Sequence, residues 1–217
     1  MATDLPLIII GDGAFAEIAY EYFTHDSPYS VVAFAVERTH RTKTILCGVP
    51  VVDVEGLERE YAPAAHGVFA AVGYSEANTL RERLYAQAKA GGYRPASYVS
   101  SRAFVWPNAA IGEHCFIFEH NTVQPFAAIG DNVVLWSGNH IGHHSAIGSH
   151  TFVSSHCVLS GFVSIGTHAF IGVNASVAEH VAIGNRTVVG AGAVVLGDVP
   201  DDTRVVGLWR RQKPVSG

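Results

Sequence analysis

The stretch from Asn139 to Gly148, NHIGHHSAIG, brings His140, His143 and His144 together with no cysteine or carboxylate among them. A neutral imidazole near pH 7 can take a proton from an attacking amine or hydroxyl, ligate a metal, or simply face solvent. A zinc site needs three or four ligands converging at about 2.0–2.2 Å from one ion. The histidines of this chain are scattered and form no ligand-spacing motif with its cysteines or carboxylates, so no metal is expected. Proton removal needs only one imidazole, and which one depends on the framework that aims it.

From Val99 to Val195 an aliphatic residue recurs at every sixth position without a slip, through Ile117, Val123, Ile129, Leu135, Ile141, Ile147 and Val153. The residue four places after each is small in nearly every repeat, as at Ala109, Ala127, Ser145 and Ala169. Glycine often follows the aliphatic residue directly, as at Gly112, Gly130, Gly142, Gly148 and Gly166. Neither a helix nor an alternating strand has a period of six. The pattern is a hexapeptide repeat and predicts a parallel β-helix, with three hexads to each triangular coil and coils stacked about 4.8 Å apart.

Residues one coil apart stack on one another. His143 therefore lies between Pro125 and Gly161, pointing outward with open space over its ring, and His144 shares a column with Phe126, Phe162 and His180. His114, His120, His150, His168 and His180 read as outward-facing solvated or interface residues. Asn121 and Asn139 occupy the small inward position and predict an amide ladder. Cys115 and Cys157 share that position, so they should be buried and inert.

Residues 1–95 follow a different grammar. PLIII (6–10) is a short apolar strand that ends in Gly11-Asp12-Gly13 and leads into a helical AFAEIAYEYF (14–23). VVAFAV (31–36) and GVFAAVG (67–73) read as further buried strands, and TLRERLYAQAKA (79–90) as a helix stopped by Gly91-Gly92. Strands separated by helices imply a parallel sheet. The expected architecture is a small Rossmann-like α/β domain over 1–95, followed by a β-helix over 96–217.

Composition excludes several classes. Hydrophobic residues make up 48% and charged residues 15%, with a formal net charge of −5. That balance gives no electrostatic reason to expect nucleic acid or an anionic membrane as partner. The apolar run Leu5–Ile10 is too short for a membrane span or a signal-peptide core. Cys47, Cys115 and Cys157 form no metal motif and no disulfide framework, so a cytoplasmic protein is expected.

Residues 99–213 resemble the hexapeptide-repeat acyltransferases, and the whole chain resembles their bacterial sugar-acyltransferase branch. That branch includes N-acetyltransferases of nucleotide-linked 4-amino sugars and sialic acid O-acetyltransferases. GDGAFAEIA (11–19) is similar to its opening motif and VVGAGAVVLGDVPDD (188–202) to its closing coil. The resemblance implies a left-handed β-helix, acetyl-CoA as cosubstrate, and a homotrimer with active sites between subunits. It gives the base role to His143, third in the hexad Ile141-Gly142-His143-His144-Ser145-Ala146. The family usually follows that histidine with Glu or Asp; here His144 takes the place, so a backbone carbonyl or Glu119 is a further candidate for orienting the base. The resemblance carries acetyl-CoA contacts to Phe152, Gly161, Val173 and Ala191, and Arg210, Arg211 and Lys213 could meet its phosphates. In the first domain Gly11, Asp12, Gly13, Ala14 and Phe15 match a diphosphate-binding turn, Glu37 fits a ribose hydroxyl, and Gly73 matches a third contact loop.

The leading expectation is acetyl transfer from acetyl-CoA to the amine of a nucleotide-linked amino sugar, by direct attack with His143 as base. Three alternatives remain: O-acetylation of a sugar, a dinucleotide oxidoreductase built on Gly11–Phe15 and Glu37, and a non-catalytic or metal-binding β-helix.

Overall fold

A computed structural model describes residues 5–210. The chain divides into two compact units, at Ser101 and Arg102.

In the first unit β1 (Leu5–Ile10), β2 (Tyr29–Val36), β3 (Ile45–Leu46), β4 (Val49–Asp53), β5 (Gly67–Ala70) and β6 (Arg94–Pro95) form one sheet in the order β3-β4-β2-β1-β5-β6. Every pairing is parallel except the hairpin β3–β4. Leu7 to Ile10, Ala33 to Val36 and Val68 to Ala70 are buried. Strands covered on both faces need such continuous apolar runs, which is why these segments lack a polar alternation. The helices α1 (Ala14–His25) and α2 (Thr79–Ala90) make the crossovers, and both expected helices are present. β2 lies on one side of β1 and β5 on the other, so the strand order reverses at the carboxyl ends of β1 and β5. In open α/β sheets that crevice is where ligands bind.

The second unit is the expected left-handed β-helix, built from strands of two residues. One face runs from Phe116–Ile117 through Val134–Leu135 and Phe152–Val153 to Arg204–Val205. A second runs from Phe104–Val105 through Thr122–Val123, His140–Ile141 and Val158–Leu159 to Leu208–Trp209. A third runs from Ala110–Ile111 to Ala182–Ile183. The aliphatic column from Ile117 to Val195 fills the interior. Val105 and Ile111, in the first coil, are only partly covered, and Val99 is 40% exposed. Cys115 and Cys157 are buried, and burial pushes the Cys157 thiol up to about 11. Asn121 and Asn139 turn their amide nitrogens to main-chain carbonyls, both including that of Trp136, and not to one another.

The corners of the prism carry a signal the repeat frame did not disclose. From Ile111 to Val177, φ is positive three residues after every aliphatic of the frame: at His114, His120, Phe126, Asn132, Gly138, His144, His150, His156, Phe162, His168, Asn174 and His180. Among non-glycine residues Asn, Asp and His tolerate this left-handed conformation best. Most of the chain's histidines are thus here because the backbone turns here. They are corner residues rather than face decoration, and His114 is buried, its Nδ1 2.9 Å from Asn132 Oδ1.

Candidate active site

His143 follows the strand His140–Ile141 and is half-buried; His144, at the αL corner, is exposed. Gly142 permits the approach of the next coil, since a β-carbon there would stand 2.5 Å from the Ser160 carbonyl. The main chain of His143 is held twice. Its N–H donates to Gln124 Oε1 at 3.0 Å, and its carbonyl accepts from Phe162 N–H at 3.0 Å. The imidazole lies over Gly161, where a β-carbon would come within 2.7 Å of Cε1 and 2.9 Å of Nε2. The ring therefore occupies the notch a side chain would have filled.

The Nδ1 of His143 is 3.2 Å from Nδ1 of His144. His144 itself is sandwiched between Phe126, at 4.6 Å and 27°, and Phe162, at 4.8 Å and 15°. Phe162 stacks in turn on His180 and meets the His143 ring edge-on at 5.2 Å. Glu119 belongs to a different column, one coil below Ser137, whose neighbour Gly138 donates its N–H to the Glu119 carbonyl. Gln124, Phe126 and Phe162 are site residues that sequence reasoning passed over. The corner column that holds two of them was legible; its meaning required knowing that the corner is left-handed.

The residues carried over for acetyl-CoA do not all gather around His143. Gly161 does. Val173 and Ala191 are exposed and lie one coil apart, at the corner between the first and second faces, with the N–H of Gly192 donating to Val173 O at 2.8 Å. Phe152 is buried on the first face between Trp136 and Phe170, at 5.8 and 5.7 Å. Arg210 is exposed after Leu208–Trp209, and Arg211 and Lys213 lie outside the described residues.

In the first unit, Gly11 has φ +120 and donates its N–H to Ala35 O, a backbone setting that favours glycine. Asp12 follows, its carbonyl accepting from Lys43 Nζ at 2.8 Å. Gly13 caps α1 in extended conformation with no side-chain cap, and its carbonyl accepts from the N–H groups of Ala16 and Glu17, so Ala14 and Phe15 open the helix at this turn. Phe15 packs edge-on against Phe69. Beside this turn is a cleft of about 280 Å³ lined by Ile10, Gly11, Glu37, Val72, Leu80 and Arg83 among others. Glu37 reaches it already paired: both its oxygens accept from Arg83 at 2.9 Å, which holds the carboxyl below its ordinary range. Gly73 borders a tight segment in which Glu76, Ala77 and Asn78 all have positive φ. The fully buried Arg81 braces it, donating to Val72 O, Gly73 O and Asn78 Oδ1.

The bacterial transferase hexapeptide family (six repeats) matches residues 162–197. No curated protein matches the chain. Among solved structures, PerB from Caulobacter crescentus, in complex with CoA and GDP-perosamine, is 29% identical over 92% of both chains, with a TM-score of 0.80. The acetyltransferase domain of PglB from Neisseria gonorrhoeae is 25% identical over 92% of this chain and 95% of its own, with a TM-score of 0.83. WeeI from Acinetobacter baumannii, 23% identical over 93% of this chain and 96% of its own at a TM-score of 0.70, shares the fold. No helix among the described residues is long and apolar enough to cross a membrane. An unbroken hexad frame wound into a β-helix, a bacterial transferase hexapeptide match over 162–197, and an α/β unit before it together make the chain similar, over nearly its whole length, to hexapeptide-repeat acetyltransferases.

Proposed function

We propose that the chain transfers an acetyl group from acetyl-CoA to the amino group of a nucleotide-linked amino sugar. The observation that carries this reading is the His143 imidazole, held in the notch over Gly161 with Nε2 unobstructed by any side chain at that position. Similarity to PerB, whose complex contains CoA and GDP-perosamine, gives the substrate class. His143 Nε2 takes a proton from the amine as nitrogen attacks the thioester carbon. The tetrahedral intermediate expels the CoA sulfur, which receives that proton, so the base is restored. A covalent acyl-cysteine within the β-helix is disfavoured, because Cys115 and Cys157 are buried and burial raises the Cys157 thiol to about 11.

The turn Gly11–Phe15, Glu37 and Gly73 serve the nucleotide. The cosubstrate positions support assembly as a homotrimer. Val173–Ala191 and His143–Gly161 stand at different corners of the prism, separated by the second face. A site composed of one corner from each of two protomers brings them together around one ligand. Cytoplasmic residence fits this reading, since acetyl-CoA is an intracellular cosubstrate.

The test is a panel of nucleotide-linked 4-amino and 3-amino sugars, with their hydroxyl analogues, incubated with acetyl-CoA and read by mass spectrometry. A gain of one acetyl group on an amino sugar is expected, and His143→Ala should lower turnover about 10²–10⁴-fold. Transfer confined to hydroxyl analogues would replace N- by O-acetylation. Full turnover by His143→Ala would remove the imidazole from the mechanism.

A further inference from the structure

We propose that His144 is the positioning residue of the catalytic base, doing with a stacked neutral imidazole what a carboxylate would otherwise do; this rests on the reading of His143 as base. The geometry is specific. The two Nδ1 atoms are 3.2 Å apart with the rings at 86°. A pair of neutral imidazoles at this distance shares one hydrogen, so one ring donates and the other accepts. If His144 donated, His143 would carry its own proton on Nε2 and could accept none there. Catalysis therefore needs the other arrangement: His143 Nδ1–H donates to a bare His144 Nδ1, and His143 Nε2 presents its lone pair to the substrate. This is the tautomer-fixing role that an aspartate has in the hydrolase triads.

The accepting ring is itself fixed. Phe126 from the coil below and Phe162 from the coil above clamp its two faces, and Phe162 is backed by His180. The αL backbone at residue 144 sets the direction from which the ring enters the stack. These constraints hold Nδ1 toward His143 without any charged group.

His144 does not serve as a proton exit. Passing the Nδ1 proton from His143 to His144 after Nε2 has been protonated would leave His143 in the Nε2–H form, which is not basic at the substrate side. The proton instead returns from Nε2 to the departing CoA sulfur, and the Nδ1–Nδ1 hydrogen stays in place through the cycle.

The test compares His144→Phe with His144→Asp in steady-state kinetics on the amino-sugar substrate, with thermal melting of each. Both residue types already occupy left-handed positions in this chain, at Phe126, Phe162 and Asp202, so both variants suit the backbone. Phe keeps the aromatic stack and removes the acceptor. It should lower kcat by about 10–100-fold with KM for acetyl-CoA and sugar changed less than about threefold. Asp restores an acceptor and loses the stack, and should return kcat to within about threefold of the unsubstituted enzyme while melting lower. A purely structural role predicts the opposite order, with Phe fully active. Phe at full kcat, or Asp as slow as Phe while folded, overturns the proposal and leaves His143 as base untouched. An unsubstituted enzyme that acetylates no amino sugar refutes the underlying functional reading instead.

Discussion

A β-carbon on Gly161 would stand 2.7 Å from Cε1 and 2.9 Å from Nε2 of His143. The obstacle is the end of a side chain one coil away, and no positive φ is required of Gly161, so the main chain has no reason to move. Gly161→Ala should swing the imidazole out of its notch and leave the β-helix intact. The expected result is a fall in kcat/KM of about 10²-fold, since displacing a reacting group by 1 Å costs that much. Melting should change by less than about 1 kcal/mol of stability. Unchanged kinetics would mean that the ring does not work from this position.

The same substitution at Gly142, one residue before the base, has the opposite consequence. There the new carbon meets the carbonyl carbon and oxygen of Ser160 at 2.5 Å and Gly161 N at 2.7 Å, all main-chain atoms. Coil spacing is set by hydrogen bonds such as Gly142 N–H to Leu159 O at 2.9 Å and cannot open locally without losing them. Gly142→Ala should destabilise the protein by about 1–3 kcal/mol, seen as a lower melting temperature. A variant as stable as the parent would show that the coils can slide.

Asp26 and Tyr98 supply a pH dependence within the first unit. Burial alone would raise the Asp26 carboxyl, but hydrogen bonds from Ser101, Tyr98 and Ser100 outweigh it and hold it at about 2, against an ordinary 3.8. A lowered value means this carboxylate adds stability that is present above about pH 4 and lost as pH falls through 2. Burial and the bond to Asp26 raise the Tyr98 hydroxyl above its ordinary 10, so its contribution is present below pH 10 and is lost at higher pH. Melting temperature measured across pH should decline in both windows. Asp26→Asn should flatten the acid decline and shift the alkaline one downward.

The repeat frame made the β-helix legible because every coil needs the same interior aliphatic, and the buried runs at 6–10, 31–36 and 67–73 made the parallel sheet legible for the same reason. β3, β4 and β6 escaped notice. β3 and β6 are two residues long, and β4 contains a proline, so none carries a period. His143 could be selected because its hexad matches a known arrangement and Gly161 lies one coil above it. His144 could be named beside it only as the residue standing where a carboxylate is usual; the Nδ1 contact between the two rings depends on the directions of both side chains. Gln124 was invisible for a related reason: it acts through a backbone N–H, and nothing in side-chain chemistry announces that. The buried Arg81 reads from sequence as one more solvent-facing arginine of an amphipathic helix, and only the fold of residues 72–78 turns it inward.

Glu37 and Arg83 form a fork in which each carboxylate oxygen accepts one N–H at 2.9 Å. Each oxygen keeps a lone pair free for a ribose hydroxyl, and the guanidinium fixes the plane in which those lone pairs lie. Glu37→Ala should raise KM for the nucleotide sugar about tenfold while kcat changes little, because the ribose carries no reacting atom. Arg83→Lys tests the plane separately from the charge. A lysine keeps the positive charge near Glu37 but cannot make the two parallel bonds, so the carboxylate regains its rotation. KM should then rise by about threefold to tenfold with kcat retained, and adding salt should not abolish the difference between the two proteins. If Arg83→Lys binds the nucleotide sugar as tightly as the parent, charge alone suffices, and the bidentate geometry has no part in recognition.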